Sequence, residues 1–591
     1  MAPDKMQQDS VTSRQGQQQV TRVKRRIEDD RQLIIEARQK GRGAVLKTYI
    51  KLSGPGWLQS GITIGGATFS SSLYLGILSG FTFLWLQPLY IILGITMLSA
   101  IAYVTLSTGQ RPLKLINSQV SPVLGWGWLF ATMAANLAWS MPQFTLATRA
   151  IQQNLLPGLV GPKVLPDPWG RIVVVCFLLG VCITVTMFYC AGVRGVRIYE
   201  VIIKAMVSII VLCFFAVILK LAFKEGAMNW GRVLKGFVPN PRLLLRPAEG
   251  FTPYLQAVVE NCRAFWTNLI MSEQKAVMIA ALSATVGVNM TFLFPYSMIR
   301  RGWDRDFRSL AIFDLSTGLF IPFLLSTSFV IMASASRFYT VPELGFVPDR
   351  QGEAAAVKPA DNLVGPYKTL LKKRLAFEIG NKAVAALSAE QLQQRTDSLP
   401  YADKRMAAML VKRDNINLAD TLTPLTGKIV AQYLFGLGVM GLGLSAATML
   451  MTINGLALCE LLNKPRGGWT HRIGALIVSV GALGAIFWEQ PAPWLAMPTS
   501  AFCCILLPIA YFTFLILMNQ KSTLGDSMPR GGRRILWNVL MGLATIGATF
   551  ISMWTLWGRL KGWSIVIIAA FVGLVLIVHL IRKGKRQTAT A

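Results

Sequence analysis

Apolar runs of about twenty residues recur from residue 54 to residue 581, each long enough to carry a helix across the hydrocarbon core of a bilayer. They predict spans at roughly 54–79, 81–107, 121–147, 170–192, 198–223, 276–299, 310–335, 429–457, 472–488, 494–518, 535–557 and 562–581. The first ~50 residues are polar and basic, and predict a short surface helix with a tail. Two long polar connections interrupt the pattern, at 224–275 and 336–428. The second contains a charged, helical-looking run, "ALSAEQLQQRTDSLPYADKRMAAMLVKRD", so connections of this length are expected to carry short helices. The fold class that follows is an all-α polytopic membrane protein of about twelve spans.

Within this pattern span 1 is unusual. Its centre, "GITIGGATFSS" (61–71), holds Gly65 and Gly66 among Thr63, Thr68, Ser70 and Ser71. Backbone groups without partners are costly in lipid, so an interrupted helix is tolerated only against protein or a watery cavity. Close packing of small residues explains one such segment equally well. Span 6 repeats the feature in "AALSATVGVNMTFLFPYSMIRR" (280–301), with Ser283, Thr285, Gly287, Asn289 and Thr291 at mid-depth. A five-helix unit repeated with inverted topology places its first helix at positions 1 and 6. Paired interrupted spans at corresponding places mark the midplane site of a transporter. The expected organisation is a basic tail at 1–52, a first repeat at 53–223, an outer connection at 224–275, a second repeat at 276–518 that includes the 336–428 connection, and two further spans with a basic tail at 519–591.

Composition alters this reading little. Hydrophobic residues make up 53% of the 591, and charged residues 15%, the balance of a membrane protein rather than a soluble one. The net charge of +31 would suit nucleic acid, but the basic residues crowd the segments between spans, where anionic lipid and the positive-inside rule place them. Nucleic acid is therefore not an expected partner, and the bilayer is. An even number of spans puts both termini on one side. That side also holds "RRGWDRDFR" (300–308), "KPRGGWTHR" (464–472) and "MPRGGRR" (528–534), together with Lys24, Arg25 and Arg26 near the start and Arg582, Lys583, Lys585 and Arg586 near the end. This face is expected to be cytoplasmic in an inner or plasma membrane. No cleavable signal peptide is expected. Of eight cysteines only Cys262 is read in a loop, and no disulfide framework or metal cluster follows. No G-x-x-x-x-G-K-[ST] occurs, which excludes that nucleotide site. No cofactor and no enzymatic constellation is expected, and a homo-oligomer is left open.

Several stretches resemble the NRAMP (natural resistance-associated macrophage protein) family of metal-ion transporters: "GPGWL" (54–58), "FLWLQPLYIILGITMLSAIAYVTLSTGQ" (83–110), "RIYEVIIKAMVSIIVLCFFAVIL" (197–219), "ATVGVNMTFLFPYSMIRR" (284–301), "LTPLTGKIVAQYLFGLGVMGLGLSAATMLMTINGLAL" (422–458) and "LLPIAYFTFLILMN" (506–519). The resemblance runs in order through nearly all the apolar core and omits the tail and the two long connections. It implies a LeuT-type fold of two inverted five-helix repeats, with spans 1 and 6 broken. The departures lie at the site. The family's Asp-Pro-Gly-Asn falls on Gly65, Gly66, Ala67 and Thr68, and its Met-Pro-His on Gly287, Val288 and Asn289. The acidic residues of the family's third span are also absent, since 119–166 contains no Asp or Glu.

What remains is a neutral cup of Gly65, Gly66, Thr68, Ser70, Thr285, Gly287 and Asn289, with Asn136, Gln143, Ser445, Thr448 and Asn454 able to face it. Transition metals want imidazole, thiolate, thioether or carboxylate, so no metal-ligating residue is assigned. Met290 and Met141 are read as packing, and His471 and His579 as structural or interfacial. With glycine in place of larger ligands, the cavity is expected to be wide. Charged residues inside the spans are functional candidates. Glu200 and Lys204 lie four apart and are expected to pair; with Asp314 and Arg472 they form a candidate gate or coupling network, Arg472 by resemblance to the family's polar network. Glu460 closes span 8 on the same side. The leading reading is a secondary transporter that moves an inorganic cation by alternating access, though not by ordinary Mn or Fe coordination. Two alternatives stay open: a carrier of a small neutral or zwitterionic solute, and a transport-inactive sensor or scaffold.

Overall fold

The computed structural model describes residues 27–190, 192–225, 229–348, 357–414, 417, 423 and 427–588. The expected basic cluster Lys24–Arg26 and the side chains of Lys583, Lys585 and Arg586 lie outside them. The helices that build the spans are α1 (Pro55–Thr63), α2 (Gly66–Ser79), α3 (Leu86–Thr108), α4 (Pro122–Ala150), α5 (Trp169–Cys190), α6 (Gly192–Glu225), α7 (Glu260–Thr285), α8 (Val288–Arg301), α9 (Arg305–Phe338), α10 (Ile429–Leu461), α11 (Trp469–Phe487), α12 (Ala492–Met518), α13 (Gly532–Leu560) and α14 (Gly562–Thr588). The pair α1–α2 is one bent span, and α7–α8 another interrupted one.

Ten helical segments among the described residues are long and apolar enough to cross a membrane, and the bent α1–α2 pair makes an eleventh. The twelfth expected span, α4, has 29 residues but falls short in hydropathy. Its polar residues explain why: Thr132, Asn136, Ser140, Gln143, Thr145 and Thr148 are all buried, facing protein instead of lipid. At the other extreme α14 is almost wholly exposed, as a lipid-facing helix is.

At the centre α4 packs along α10, and α2 packs against both α7 and α9. Spans 1 and 6 thus meet, as do spans 3 and 8. This pairing of first with first and third with third is that of a LeuT-type fold with two inverted repeats.

One face gathers the basic residues. Arg31 pairs with Asp304 at 2.5 Å, Arg111 with Glu460 at 3.6 Å, and Arg582 donates to the carbonyls of Asn117 at 2.9 Å and Ser118 at 3.1 Å. The corners at 107–119, 300–308 and 460–466 and the end of α14 therefore share a side.

On the opposite face the two long connections fold together into a cap with its own core, built from Phe251, Leu255, Trp266, Leu363, Tyr367, Leu371 and Met406 among others. The expected short helices are there, at Thr252–Ala257, Asp361–Ile379, Ala389–Asp397 and Tyr401–Leu410. Helix α7 starts sixteen residues before the predicted 276. Cys262, Trp266 and Ile270 repeat every four residues and bury one stripe in the cap core, so apolar periodicity extends the helix out of the membrane. Cys262, read as a loop residue, therefore lies in the first turns of α7. Buried Asp403 ties the cap together, accepting from Trp266 Nε1 at 2.6 Å and from Arg374 at 3.0 and 3.1 Å.

Candidate transport site at two helix breaks

The axes of α1 and α2 differ by 56°. Ile64 (φ −81°, ψ 65°) and Gly65 (φ −114°, ψ −178°) leave the helical region between them. In span 6 the break falls on Val286 (φ −141°, ψ 100°) and Gly287 (φ −81°, ψ 165°). None of these angles needs glycine. The glycines are there for space: a Cβ on Gly65 would lie 2.9 Å from the Ala446 Cβ, one on Gly66 2.8 Å from a Leu146 methyl, and one on Gly287 2.7 Å from Asn289 Oδ1. Close approach, the small-residue packing weighed for span 1, is thus what these positions require.

The freed carbonyls are bridged by hydroxyls. Thr63 Oγ1 donates to the Thr285 carbonyl at 3.3 Å, and Thr68 Oγ1 lies within reach of the carbonyls of Thr63 and, at 3.4 Å, Ala284. The two broken spans are thus stitched to each other at mid-depth. From α4, Gln143 Oε1 accepts the amide N–H of Gly66 at 2.7 Å, and Asn136 Oδ1 accepts from Asn289 Nδ2 at 3.2 Å.

Between the breaks is a cavity lined by Gly65, Thr68, Gln143, Gly287, Asn289 and Met290, with Trp139, Ser283 and Ala446 behind them. Its volume is about 20 Å³, room for about one water molecule. The expected wide cavity is not what forms. Gln143 and Ala446 move into the space that glycine vacates, so the void left by the missing ligands is filled from α4 and α10.

Of the expected lining, Gly65, Thr68, Gln143, Gly287 and Asn289 reach the cavity. Gly66 contributes only its N–H. Thr285 turns its hydroxyl to the Ala281 carbonyl, Ser70 to that of Gly66, Ser445 to that of Leu442 and Thr448 to that of Leu444. Asn454 points away, donating to the Gly474 carbonyl at 2.7 Å. Met290, read as packing, is a lining residue, and its sulfur accepts from Thr63 Oγ1 at 3.1 Å. Among the described residues, no group of three or more His, Cys, Asp or Glu side chains could hold a metal ion.

At the basic face a second cluster closes on the start of α1. The buried Asp314 carboxylate accepts from the Ser53 hydroxyl, from Gly54 N–H at 3.0 Å and from Gly56 N–H at 2.6 Å. These are amides that a helix start leaves unpaired, and a carboxylate there also complements the helix dipole. A Cβ on Gly56 would sit 2.2 Å from the Asp314 carbonyl oxygen, and one on Gly54 would strike the Arg301 guanidinium. "GPG" is therefore the sequence that lets a charged partner reach a helix N-terminus. Lys204 Nζ donates to the Ser53 carbonyl at 3.1 Å, and Arg301 donates to the Leu52 carbonyl at 3.0 Å.

The expected pairing of Glu200 with Lys204 is not what forms. Glu200 is held at 2.6 Å by Arg301, which in the sequence stands out only as part of the basic corner at 300–308. A bidentate-capable guanidinium from the other repeat outcompetes the local i,i+4 ammonium. Arg472 is not part of this cluster: it lies over the Trp469 ring at 5.1 Å. Its neighbour His471 is fully buried beside Tyr189, with no hydrogen-bond partner on either ring nitrogen.

Residues 56–367 and 404–558 match the family described as Natural resistance-associated macrophage protein-like. The chain belongs to this family. Solved structures of the Eremococcus coleocola manganese transporter, which belong to a protein of the same architecture, agree. A mutant form aligns at 17% identity over 91% of this chain and 96% of that one with a TM-score of 0.51. A form complexed with an aromatic bis-isothiourea substituted compound aligns at 16% identity over 92% and 97%, also with a TM-score of 0.51. No curated protein matches the chain in sequence. This Nramp-like protein is thus a metal-ion secondary transporter built on the LeuT-type fold. The organic-solute and scaffold alternatives gain no support. Residues 368–403, which the family match skips, are helices of the cap.

Proposed function

We propose that this Nramp-like protein moves an inorganic cation held by neutral oxygen atoms, by alternating access around the cavity between the two helix breaks. The observation that carries this reading is the cavity itself: one water in size and lined by the polar side chains of Thr68, Ser283, Gln143 and Asn289 beside the Met290 thioether, with no carboxylate. The desolvation cost of an ion grows with the square of its charge, and an uncompensated divalent ion in a low-dielectric site is strongly penalised. A singly charged metal ion therefore suits the lining best. Ordinary Mn or Fe coordination, which draws on nitrogen, sulfur or carboxylate, does not. The small volume also argues against an organic solute.

In this reading residues 53–223 and 276–518 are the inverted repeats, and the basic face with both termini is cytoplasmic in the plasma membrane. Asp314, Glu200, Lys204 and Arg301 act as a latch. They hold the start of α1 against α6, α8 and α9, and release it when the site opens to the cytoplasm.

The test is uptake of Rb⁺, Mg²⁺ and Mn²⁺ by the full chain in proteoliposomes. Rb⁺ should enter saturably, and Thr68→Ala with Asn289→Ala should reduce its uptake about tenfold, the equivalent of about 1.4 kcal/mol of lost binding. Saturable Mn²⁺ uptake in the absence of Rb⁺ uptake overturns the reading.

A further inference from the structure

The cap contains the residues that the family match skips, 368–403, and its return strand, within the matched part, carries a cation into the transport machinery. Residues 411–414 leave the cap and run along α2, where Tyr74 donates to the Arg413 carbonyl at 2.8 Å. Between them Lys412 turns inward. Its Nζ lies 3.5 Å from Glu273 Oε1 on α7 and 3.6 Å from the centroid of the Trp494 ring on α12. The Trp494 ring meets Tyr74 of α2 edge-on at 4.6 Å. A small cavity of about 20 Å³ for water centres adjoins the ammonium, walled by Tyr74, Leu78, Leu269, Glu273 and Trp494.

A carboxylate facing the flat of an indole is a recognition set for a cation. The ring quadrupole attracts positive charge more strongly as water is excluded, and the carboxylate supplies the counter-charge that the central cavity lacks. Three helices contribute one group each, and all three are elements that line or flank the broken-helix site: α2 by Tyr74, α7 by Glu273 and α12 by Trp494. The occupant is a tethered ammonium from a segment outside the helical bundle. Lys373, on a cap helix, is a like charge acting on Lys412, so the occupant is not bound as deeply as its two partners alone would bind it. A role confined to stability would be served as well by an apolar side chain packed on Trp494, without two groups desolvated to hold a charge.

The geometry points to a second cation site on the cap face, formed by Glu273 and the Trp494 ring, in which Lys412 stands in for the transported ion while the protein is closed. When the return strand withdraws, an external inorganic cation takes the vacated place and is delivered between α2 and α7 toward the cavity. Lys412 thus competes with the cargo and sets how much external ion is needed to open this side. The inference rests on the cation reading of the central site, but its test does not depend on transport.

The measurement is isothermal titration of Rb⁺ and of Mg²⁺ into the purified full-length protein. It is made in an Asn289→Ala background so that the central cavity contributes least. Lys412→Met should raise the affinity for Rb⁺ by about threefold or more, the range of one cation–π contact, and by more than it raises that for Mg²⁺. Adding Glu273→Gln should remove the gain. Lys412→Arg, which keeps a tethered cation, should bind as the parent does. Melting temperatures of each variant show whether it is folded. If Lys412→Met folds and binds Rb⁺ no better than the parent, or if the gain survives Glu273→Gln, the inference is overturned. Rb⁺ uptake by the wild-type chain judges the central site separately.

Discussion

The middle of the bundle and its basic-face end handle the same problem, a helix terminus buried in protein, with opposite chemistry. At the start of α1 the free amides of Gly54 and Gly56 meet a carboxylate, Asp314, and the exposed carbonyls of Leu52 and Ser53 meet Arg301 and Lys204. At the start of α2, a few residues on, the free Gly66 amide meets only the carboxamide of Gln143, and the facing carbonyls meet threonine hydroxyls. Full charges clamp the end, and neutral dipoles line the middle. A bound charge would serve a latch, which must hold one state firmly. It would not serve a site that has to take up and release a cation, unless the cation were the counter-charge it lacked.

The largest effect that would break this contrast is at Asp314. Asp314→Ala leaves two buried amides and a hydroxyl without an acceptor, and each charge-assisted bond is worth about 1.5–3 kcal/mol. The loss of stability should be about 3 kcal/mol or more, read as a large fall in melting temperature of the detergent-solubilised protein. Ser53→Ala, which removes one donor and leaves no orphan acceptor, should cost much less. Equal losses for the two would mean that the carboxylate does not organise the start of α1.

A smaller effect separates the two charged partners of α6. Glu200 and Arg301 are partly exposed, so their coupling in a double-mutant cycle of Glu200→Gln and Arg301→Met should be about 1 kcal/mol or less. Arg301→Met alone should cost more than Glu200→Gln, because it also abandons the Leu52 carbonyl. A cycle of Glu200 with Lys204 should show weaker coupling than that with Arg301. Stronger coupling there would restore the local pairing that the sequence suggests.

The breaks themselves were legible because paired glycines and hydroxyls at mid-span are rare and need a reason. How the breaks are filled was not. Gln143 and Ala446 reach the vacated space only because α4 and α10 cross at that height, a tertiary fact with no local signal. The same limit explains Glu200. Its sequence neighbour Lys204 is visible at i,i+4, whereas Arg301 arrives from the other half of the chain and reads, on its own, as one more basic residue at a span end. The early start of α7 could have been found: Cys262, Trp266 and Ile270 repeat at helical spacing ahead of the apolar run.

The subtlest comparison is inside the cavity, between its oxygens and its one sulfur. Met290 lines the cavity, yet its thioether already accepts the Thr63 hydroxyl at 3.1 Å. If the cargo is held by neutral oxygen, the sulfur acts as a wall and an acceptor for Thr63. Met290→Leu then keeps the volume and should cost under about 1.5 kcal/mol, leaving Rb⁺ uptake close to wild type. The Thr63 hydroxyl retains the Thr285 carbonyl as a partner, so nothing polar is stranded. If instead the thioether is a ligand, Met290→Leu should depress uptake of a soft ion far more than uptake of Rb⁺. The ratio of Cd²⁺ to Rb⁺ uptake in this single variant therefore tells a sulfur that packs from a sulfur that binds.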